Sequence, residues 1–416
     1  MKAKIKNLVV NRLWREAGRV LKASEPTAVA VTGSVGKTTT REAIAHVLAD
    51  CGRPIIQAKG NMNTEISVPL VICGLVDAPH RPWQWLSAYW RSRRFAAGPG
   101  LPPESILVLE FASEQEGDIA FLAERVPLDL AVFTLFSPSH LSMDTKVVQR
   151  EKSSLIKGLK PSGVIVANAD DAAQVDLLAD RRAISYGYAK GATVRLAEVK
   201  TNAEGMTGTI VYRGVKYPFT TKLIGRHQAM SVAAAFAAGV KLGRTPSQLI
   251  ARLATLAGQP GRLRLIEGRK QRTIIDDSYN SSPAAAAAAL DVLTGLRRPG
   301  HRTVAIMGNM NSLGRGTVSA HLELGRQAAR AKIDYLIAVG PNARRIVKGA
   351  REGGMAEQHL IEFETPERLM TRLDNLLQTG DLILVKGSQN GMLLERVVKL
   401  LMAHPERAKE ELVRQY

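Results

Sequence analysis

The chain has 416 residues, 45% of them hydrophobic and 23% charged, a globular composition with apolar material for two or three cores, which excludes a disordered or fibrous protein. Its two cysteines, Cys51 and Cys73, stand in no C-x-x-C or Cys/His cluster, so a disulfide scaffold and a structural zinc site are excluded and a reducing, cytoplasmic location is expected. The sequence has no apolar run long enough to span a membrane and no signal-peptide core, while its formal charge of +19 favours contact with phosphates, anionic lipid or nucleic acid.

Residues 1 to 22 set Ile5, Leu8, Val9 and Leu13 at helical spacing among Lys2, Lys4, Lys6, Arg12, Arg15 and Arg19, which predicts a basic amphipathic helix over 1–24. From residue 27 onward short aliphatic runs alternate with longer alanine-rich amphipathic stretches, the pattern of an α/β protein with mostly parallel sheets. Strands are predicted at 28–32, 106–110, 130–135 and 163–168. Within a basic insert over 75–103, the stretch 81–95 (RPWQWLSAYWRSRRF) holds Trp83, Trp85 and Trp90 interleaved with four arginines. The Gly/Pro break at 258–261 separates a first α/β domain, 25–258, from a second, 259–416, with strands predicted at 273–277, 303–307, 335–339 and 382–386. Ser282 as N-cap and Pro283 at the first helical position start a helix through the alanine run 284–289. The apolar faces of 1–22 and 81–95 either pack on the protein itself or rest on a membrane surface or a partner subunit. A nucleic-acid module has only the charge and the Arg/Trp stretch in its favour.

The sharpest chemical signal is T-G-S-V-G-K-T-T-T, Thr32 to Thr40, directly after a predicted strand and before a helix. Gly33, Ser34, Val35 and Gly36 let backbone N–H groups close around phosphate oxygens. Lys37 reaches the terminal phosphates, and the Thr38 hydroxyl, followed by Thr39, ligates magnesium. The spacing departs from G-x-x-x-x-G-K-[ST], yet a nucleoside triphosphate site is expected.

This loop resembles that of the Mur ligases, the ATP-dependent amide ligases of peptidoglycan assembly, and further segments resemble the MurF branch in matching order. Among them are G-N-M-N-T-E-I-S-V-P-L (60–70), L-E-F-A-S-E-Q-E-G-D-I (109–119), P-S-H-L (138–141) with E-K-S-S-L (151–155), P-G-R (260–262), I-I-D-D-S-Y-N-S-S-P (274–283) and L-V-K-G-S (384–388). The resemblance implies a central P-loop ATPase-type parallel-sheet domain plus a C-terminal Rossmann-like α/β domain. It implies transfer of the ATP γ-phosphate to a peptide-like carboxylate and attack of an amine on the acyl phosphate, with D-Ala-D-Ala as one such amine in cell-wall precursor synthesis.

By the same resemblance Glu110 binds a first magnesium with Thr38, and His140 and Lys152 bind a second, Lys152 as a carbamate. Arg262 reaches the γ-phosphate and Asp277 holds the ribose. Asn63, Thr64 and Lys386 fall on the substrate side. From the residues alone, Arg264 competes with Arg262 for its role, and Asp276 with Asp277.

Several positions depart from the family pattern. G-x-H-N-x-x-N reads Gly225, His227, Gln228 and Ser231; N-A-N-P reads Asn280, Ser281, Ser282 and Pro283; Ser67, Leu135, Ser137 and Ser154 replace family residues. Only about 24 residues precede the first predicted strand, where family members carry a UDP-binding domain, so the expected substrate either lacks the nucleotide or is held elsewhere, with 81–95 as a candidate. Two other readings remain at this point: a ligase of polyglutamate, folate or secondary-metabolite type, and a nucleotide-binding partner subunit without turnover.

Overall fold

The computed structural model describes residues 2–77, 82–136, 145–179, 182–311 and 313–413. Two sheets organise them. The first comprises β1 (Thr27–Thr32), β2 (Ile55–Gln57), β3 (Ile106–Glu110), β4 (Leu128–Phe133), β5 (Leu159–Asn168), β6 (Ala183–Gly187), β7 (Val194–Asn202), β8 (Gly205–Tyr212) and β9 (Val215–Thr221), in the order β2-β3-β1-β4-β5-β6-β7-β8-β9. Pairing is parallel from β2 across to β7 and antiparallel through β8 and β9. The second comprises β10 (Arg264–Gly268), β11 (Arg272–Asp277), β12 (Thr303–Met307), β13 (Tyr335–Val339), β14 (Leu360–Phe363) and β15 (Leu382–Lys386), in the order β10-β11-β15-β12-β13-β14. Only β10 pairs antiparallel there.

The central strands of each sheet are buried on both faces, which is why they read as unbroken aliphatic runs. All eight predicted strands are present, with ends displaced by a few residues; the fourth begins at Leu159, and 130–135 becomes Leu128–Phe133, with Leu135 left to pair singly with Val35. The strands β7, β8 and β9 were not anticipated. They alternate polar and apolar residues on a half-exposed antiparallel ribbon, a weaker signal than an aliphatic run.

Two helical layers sandwich the first sheet. On one face lie α1 (Lys2–Ser24), α3 (Ser67–Ile72) and α4 (Pro82–Ala97); on the other lie α2 (Lys37–Leu48) and the helices Ala229–Lys241 and Pro246–Leu253. With aromatics at 5%, close alanine packing carries much of this interior: Ala233, Ala234, Ala235, Ala237 and Ala238 are fully buried. The buried stripe of α1 is Val10, Leu13, Trp14, Ala17, Val20 and Leu21. The expected stripe through Leu8 and Val9 is corrected, since both are exposed. Trp14 decides the register, because its indole N–H donates to the Glu65 carbonyl at 2.8 Å as the ring is buried. No helix among the described residues is long and apolar enough to cross a membrane.

The helix starting at Pro283 is capped as expected. The Ser282 hydroxyl accepts from the Ala285 N–H, and Pro283 occupies the first helical position, where no N–H is needed.

Candidate active site

β1 ends at Thr32, and the loop behind it is shaped by two glycines. At Gly33, with φ of +147°, a Cβ would lie 1.9 Å from the Thr134 hydroxyl, so no other residue fits there. Gly36, at φ +87°, opens α2, which has no side-chain cap. The first-turn N–H groups of α2 are therefore left for an anion, favoured by the helix dipole. The Ser34 N–H donates to the Leu135 carbonyl at 2.8 Å, which ties the loop to the segment after β4. Lys37 folds back over the loop, its Nζ donating to the carbonyls of Gly33 (2.8 Å) and Ser34 (3.2 Å). Burial pushes its pKa down, aided by Arg262 and opposed by Glu110.

Glu110, at the C-terminal end of β3 and 2% exposed, is the hub of the first sheet's half of the site. Its Oε2 accepts from the Thr38 hydroxyl and its Oε1 from the Asn63 amide, both at 2.8 Å, and Arg41 Nη1 stands 3.8 Å from Oε2. Burial favours the neutral acid, but Arg41, Lys37, Arg262 and the Asn63 hydrogen bond together hold Glu110 below the usual carboxylate range. Arg41 was missed in the sequence. It lies one turn after Lys37 on α2, and that i, i+4 spacing carries the signal.

Among the described residues no group of three or more His, Cys, Asp or Glu side chains gathers to hold a metal. That is no obstacle to magnesium, which takes one or two protein oxygens and completes its shell with water and phosphate. The Thr38 hydroxyl and the ionised Glu110 fit such a shared ion. His140 lies outside the described residues, as does Ser137. Lys152, 7% exposed, donates from Nζ to the Ser113 hydroxyl at 2.5 Å. Burial lowers its pKa to about 8, and Lys37 acts in the same direction. The adjoining Glu151 accepts from the N–H groups of Gly117 (2.7 Å) and Ile119 (2.8 Å), capping the helix Asp118–Ala123 and fixing the turn that carries Lys152.

The second sheet supplies the facing wall. Asp276, fully buried, accepts from the Gly261 N–H at 2.9 Å and from the Ser278 hydroxyl at 2.6 Å. It braces the turn below Arg262 and is not among the described residues that border the cavity. Asp277 is the carboxylate on the wall, paired with Lys386 Nζ at 2.6 Å. Lys386, 1% exposed, also donates to the Asn280 carbonyl at 2.9 Å. Burial raises the pKa of Asp277 against the pull of Lys386 and Arg262. Arg262 stacks 4.3 Å from the ring centre of Tyr279 and opens on the same cavity, whereas Arg264 lines a separate hollow beside Glu42 and His46.

Burial lifts Asp276 to about 6. The raised value means that the neutral acid stabilises the fold below pH 4 and that this contribution is lost as pH rises through 6. It amounts to about 3 kcal/mol. Urea unfolding of the wild type and Asp276→Asn across pH 4 to 7 is expected to give a stability difference that changes by about that amount; a constant difference would contradict the assignment.

These walls enclose a cavity of about 460 Å³, within the range of small-molecule sites. Lys37, Thr38, Glu110, Asn63, Thr64, Arg262, Asp277 and Lys386 all border it, and Lys152 stands behind Ser113, off the lining. At one end Ser231 accepts from the Thr40 hydroxyl at 2.9 Å, and the buried Gln228 Oε1 has no hydrogen-bond partner among the described residues. No described residue of 84–95 lines the cavity.

Comparison with known proteins agrees with this architecture. The Mur ligase middle domain matches residues 31–81 and 102–239, and the Mur ligase glutamate ligase domain matches 261–389. The UDP-N-acetylmuramoyl-tripeptide–D-alanyl-D-alanine ligase of Bacillus subtilis is 29% identical over 379 residues, covering 91% of this chain and 76% of its own length. Its Escherichia coli counterpart is 27% identical, covering 90% and 76%. The MurF ligase of Thermotoga maritima, solved in complex with ADP, superposes with a TM-score of 0.77 at 25% identity, covering 96% of this chain and 84% of its own. Loop, acidic hub and facing arginine wall, with two Mur ligase domain matches in chain order, make this chain a member of the Mur ligase family.

Proposed function

We infer that the chain is an ATP-dependent ligase of MurF type, joining a dipeptide such as D-Ala-D-Ala to a peptide carboxylate through an acyl phosphate. The observation that carries this reading is the convergence of Lys37, Thr38 and Glu110 from the first sheet with Arg262 from the second on one cavity. In the reaction a carboxylate oxygen bonds to the γ-phosphorus as the bond to ADP breaks. The amine nitrogen then attacks the carboxyl carbon, phosphate leaves with that oxygen, and the nitrogen gives up its proton to phosphate or water.

Each residue has a role that its surroundings favour. The N–H groups of Val35 to Thr38 and the Lys37 ammonium hold the β- and γ-phosphates. Arg262, stiffened by Tyr279, meets the γ-phosphate from the other wall, where a planar guanidinium suits three equatorial oxygens. Asp277 lies on the ribose side, Gln228 offers its open carbonyl to the base, and Asn63 and Thr64 border the carboxylate's approach. Thr38 and Glu110 would hold a magnesium ion, which would supply charge neutralisation.

A second magnesium is part of the same reading, with His140 and a carbamylated Lys152 as its protein ligands. Carbamylation needs a neutral amine, and at a pKa of about 8 about a tenth of Lys152 is neutral at pH 7, far more than for an exposed lysine. Incubation with 13C-bicarbonate is expected to give one protein carbamate resonance that disappears in Lys152→Arg; an unchanged spectrum would remove the carbamate from the account.

A non-catalytic subunit would have no need for a buried Glu110 held by Thr38, Asn63 and Arg41 beside a phosphate loop. Screening D-Ala-D-Ala and single amino acids against UDP-linked and free peptides for ADP release tests the function. Release is expected only with both carboxylate and amine present, and release indifferent to either would contradict it.

A further inference from the structure

Two helices hold a disproportionate share of the positive charge. α1 and α4, of 23 and 16 residues, carry ten lysines and arginines against one acid, Glu16, a net +9 of the chain's +19. Glu16 is itself buried and paired with Arg19 at 2.8 Å. Among the described residues Arg12, Arg15, Arg91 and Arg94 have no acidic partner.

The charges are ordered. At 100° per residue, Leu8, Arg12, Arg15, Arg19 and Lys22 fall on one stripe of α1, and all are exposed. On α4, Leu86, Trp90, Arg93, Arg94 and Ala97 form the corresponding stripe, with Leu86 64% and Trp90 55% exposed. The opposite faces, Leu13, Trp14 and Ala17 of α1 and Ala88 of α4, enter one core on one face of the first sheet, and the two helices pack side by side. Both stripes therefore look outward from the same layer. The Arg93 guanidinium lies 5.5 Å from the Trp90 ring centre, charge and ring presented together.

A solvated face accounts for the arginines but not for Leu8, Val9, Leu86 and Trp90 exposed among them. A nucleic acid accounts for arginines and a stacking ring, but offers nothing to the aliphatic side chains. An anionic bilayer surface takes all three: phosphate headgroups for arginine and lysine, the headgroup boundary for tryptophan, the acyl margin for leucine and valine. The Mur ligase middle-domain match breaks over 82–101 and begins at 31, so neither helix falls within that match. Their surface is nevertheless joined to the cavity, for Lys6 pairs with Glu65 at 2.7 Å and Trp14 donates to the Glu65 carbonyl, next to Asn63 and Thr64 on the wall.

We propose that the α1–α4 face docks this protein on an anionic phospholipid surface, as a peripheral protein resting on the two helices. The docking is independent of the ligase reading and stands or falls by a separate measurement. The test is co-sedimentation of the full chain with vesicles of phosphatidylglycerol and phosphatidylethanolamine, with phosphatidylcholine vesicles and a short DNA duplex as comparisons. The anionic vesicles are expected to bind at least about 100-fold more tightly than phosphatidylcholine, at a strength that added salt reduces. The double variant Arg12→Gln/Arg15→Gln is expected to weaken binding about 30-fold. Leu86→Ser/Trp90→Ser is expected to weaken it about tenfold and to remove the blue shift of tryptophan emission on binding. All four side chains are exposed, so both variants are expected to keep the wild-type circular dichroism spectrum and ATP affinity. Equal binding to phosphatidylcholine would overturn the proposal, as would variants that bind like wild type. So would a duplex that displaces the vesicles and is indifferent to Leu86 and Trp90, which would identify the surface as a nucleic-acid site.

Discussion

Lys37→Ala is expected to lower kcat for ADP formation by about 10³-fold, with the KM of the carboxylate substrate changed only a few-fold. The ammonium rests 2.8 Å from the Gly33 carbonyl, inside the phosphate loop, where Lys37 is half-buried. Preorganised charge at such a site stabilises the phosphoryl transition state by about 3–4 kcal/mol, which corresponds to that loss of rate. The fold is expected to persist, because Glu110 keeps Arg41, Thr38 and Asn63 as partners. Lys37→Arg is not expected to rescue turnover, since a planar guanidinium cannot occupy the compact position of the ammonium. Steady-state kinetics with unfolding curves for both variants checks this. A Lys37→Ala protein with near-normal kcat would mean that the loop does not hold the reacting phosphate.

The second large effect concerns stability. Asp277 and Lys386 are register partners on adjacent parallel strands, β11 and β15, and their side chains pair at 2.6 Å with Lys386 almost wholly enclosed. Asp277→Ala leaves a buried ammonium with only the Asn280 carbonyl as acceptor, which is expected to cost about 3–5 kcal/mol. Replacing both, as Asp277→Leu with Lys386→Met, removes the uncompensated charge and is expected to recover at least half of that loss. Turnover is expected to stay low in the double variant, because the wall has lost both polar groups. Urea unfolding with parallel activity assays reads the two outcomes separately. A single variant as stable as wild type would show that the pair is not what satisfies Lys386.

What the sequence disclosed followed from how local each signal is. Aliphatic runs such as 106–110 and 382–386 marked strands because both faces of a central parallel strand are covered, so no polar residue interrupts them. The β7–β9 ribbon alternates instead, and β2 has three residues, too few for any pattern to emerge. On α1 the apolar residues occupy more than one face, and packing in the core, with the bond from Trp14 to Glu65, places Val10, Leu13 and Trp14 inside and Leu8 and Val9 outside. Within the site, Gly33, Gly36, Lys37 and Thr38 were legible as one contiguous motif, whereas that Arg262 and Asp277 border the cavity and Arg264 and Asp276 do not is a product of the sheet geometry. Ser113 and Tyr279 were not found, because each acts on a residue that long-range packing brings to it; Arg41 was legible only by its spacing from Lys37, while its contact with Glu110 comes from the fold.

In an acyl-phosphate reaction a carboxylate oxygen becomes part of the phosphate that leaves. Supplying the acceptor carboxylate labelled with 18O and analysing the released phosphate by mass spectrometry follows that oxygen. Transfer of the γ-phosphoryl group to the carboxylate predicts one 18O atom in each phosphate formed per amide bond. Unlabelled phosphate, released at the same rate with or without the amine, would show that water and not the carboxylate attacks the nucleotide, and would contradict the account.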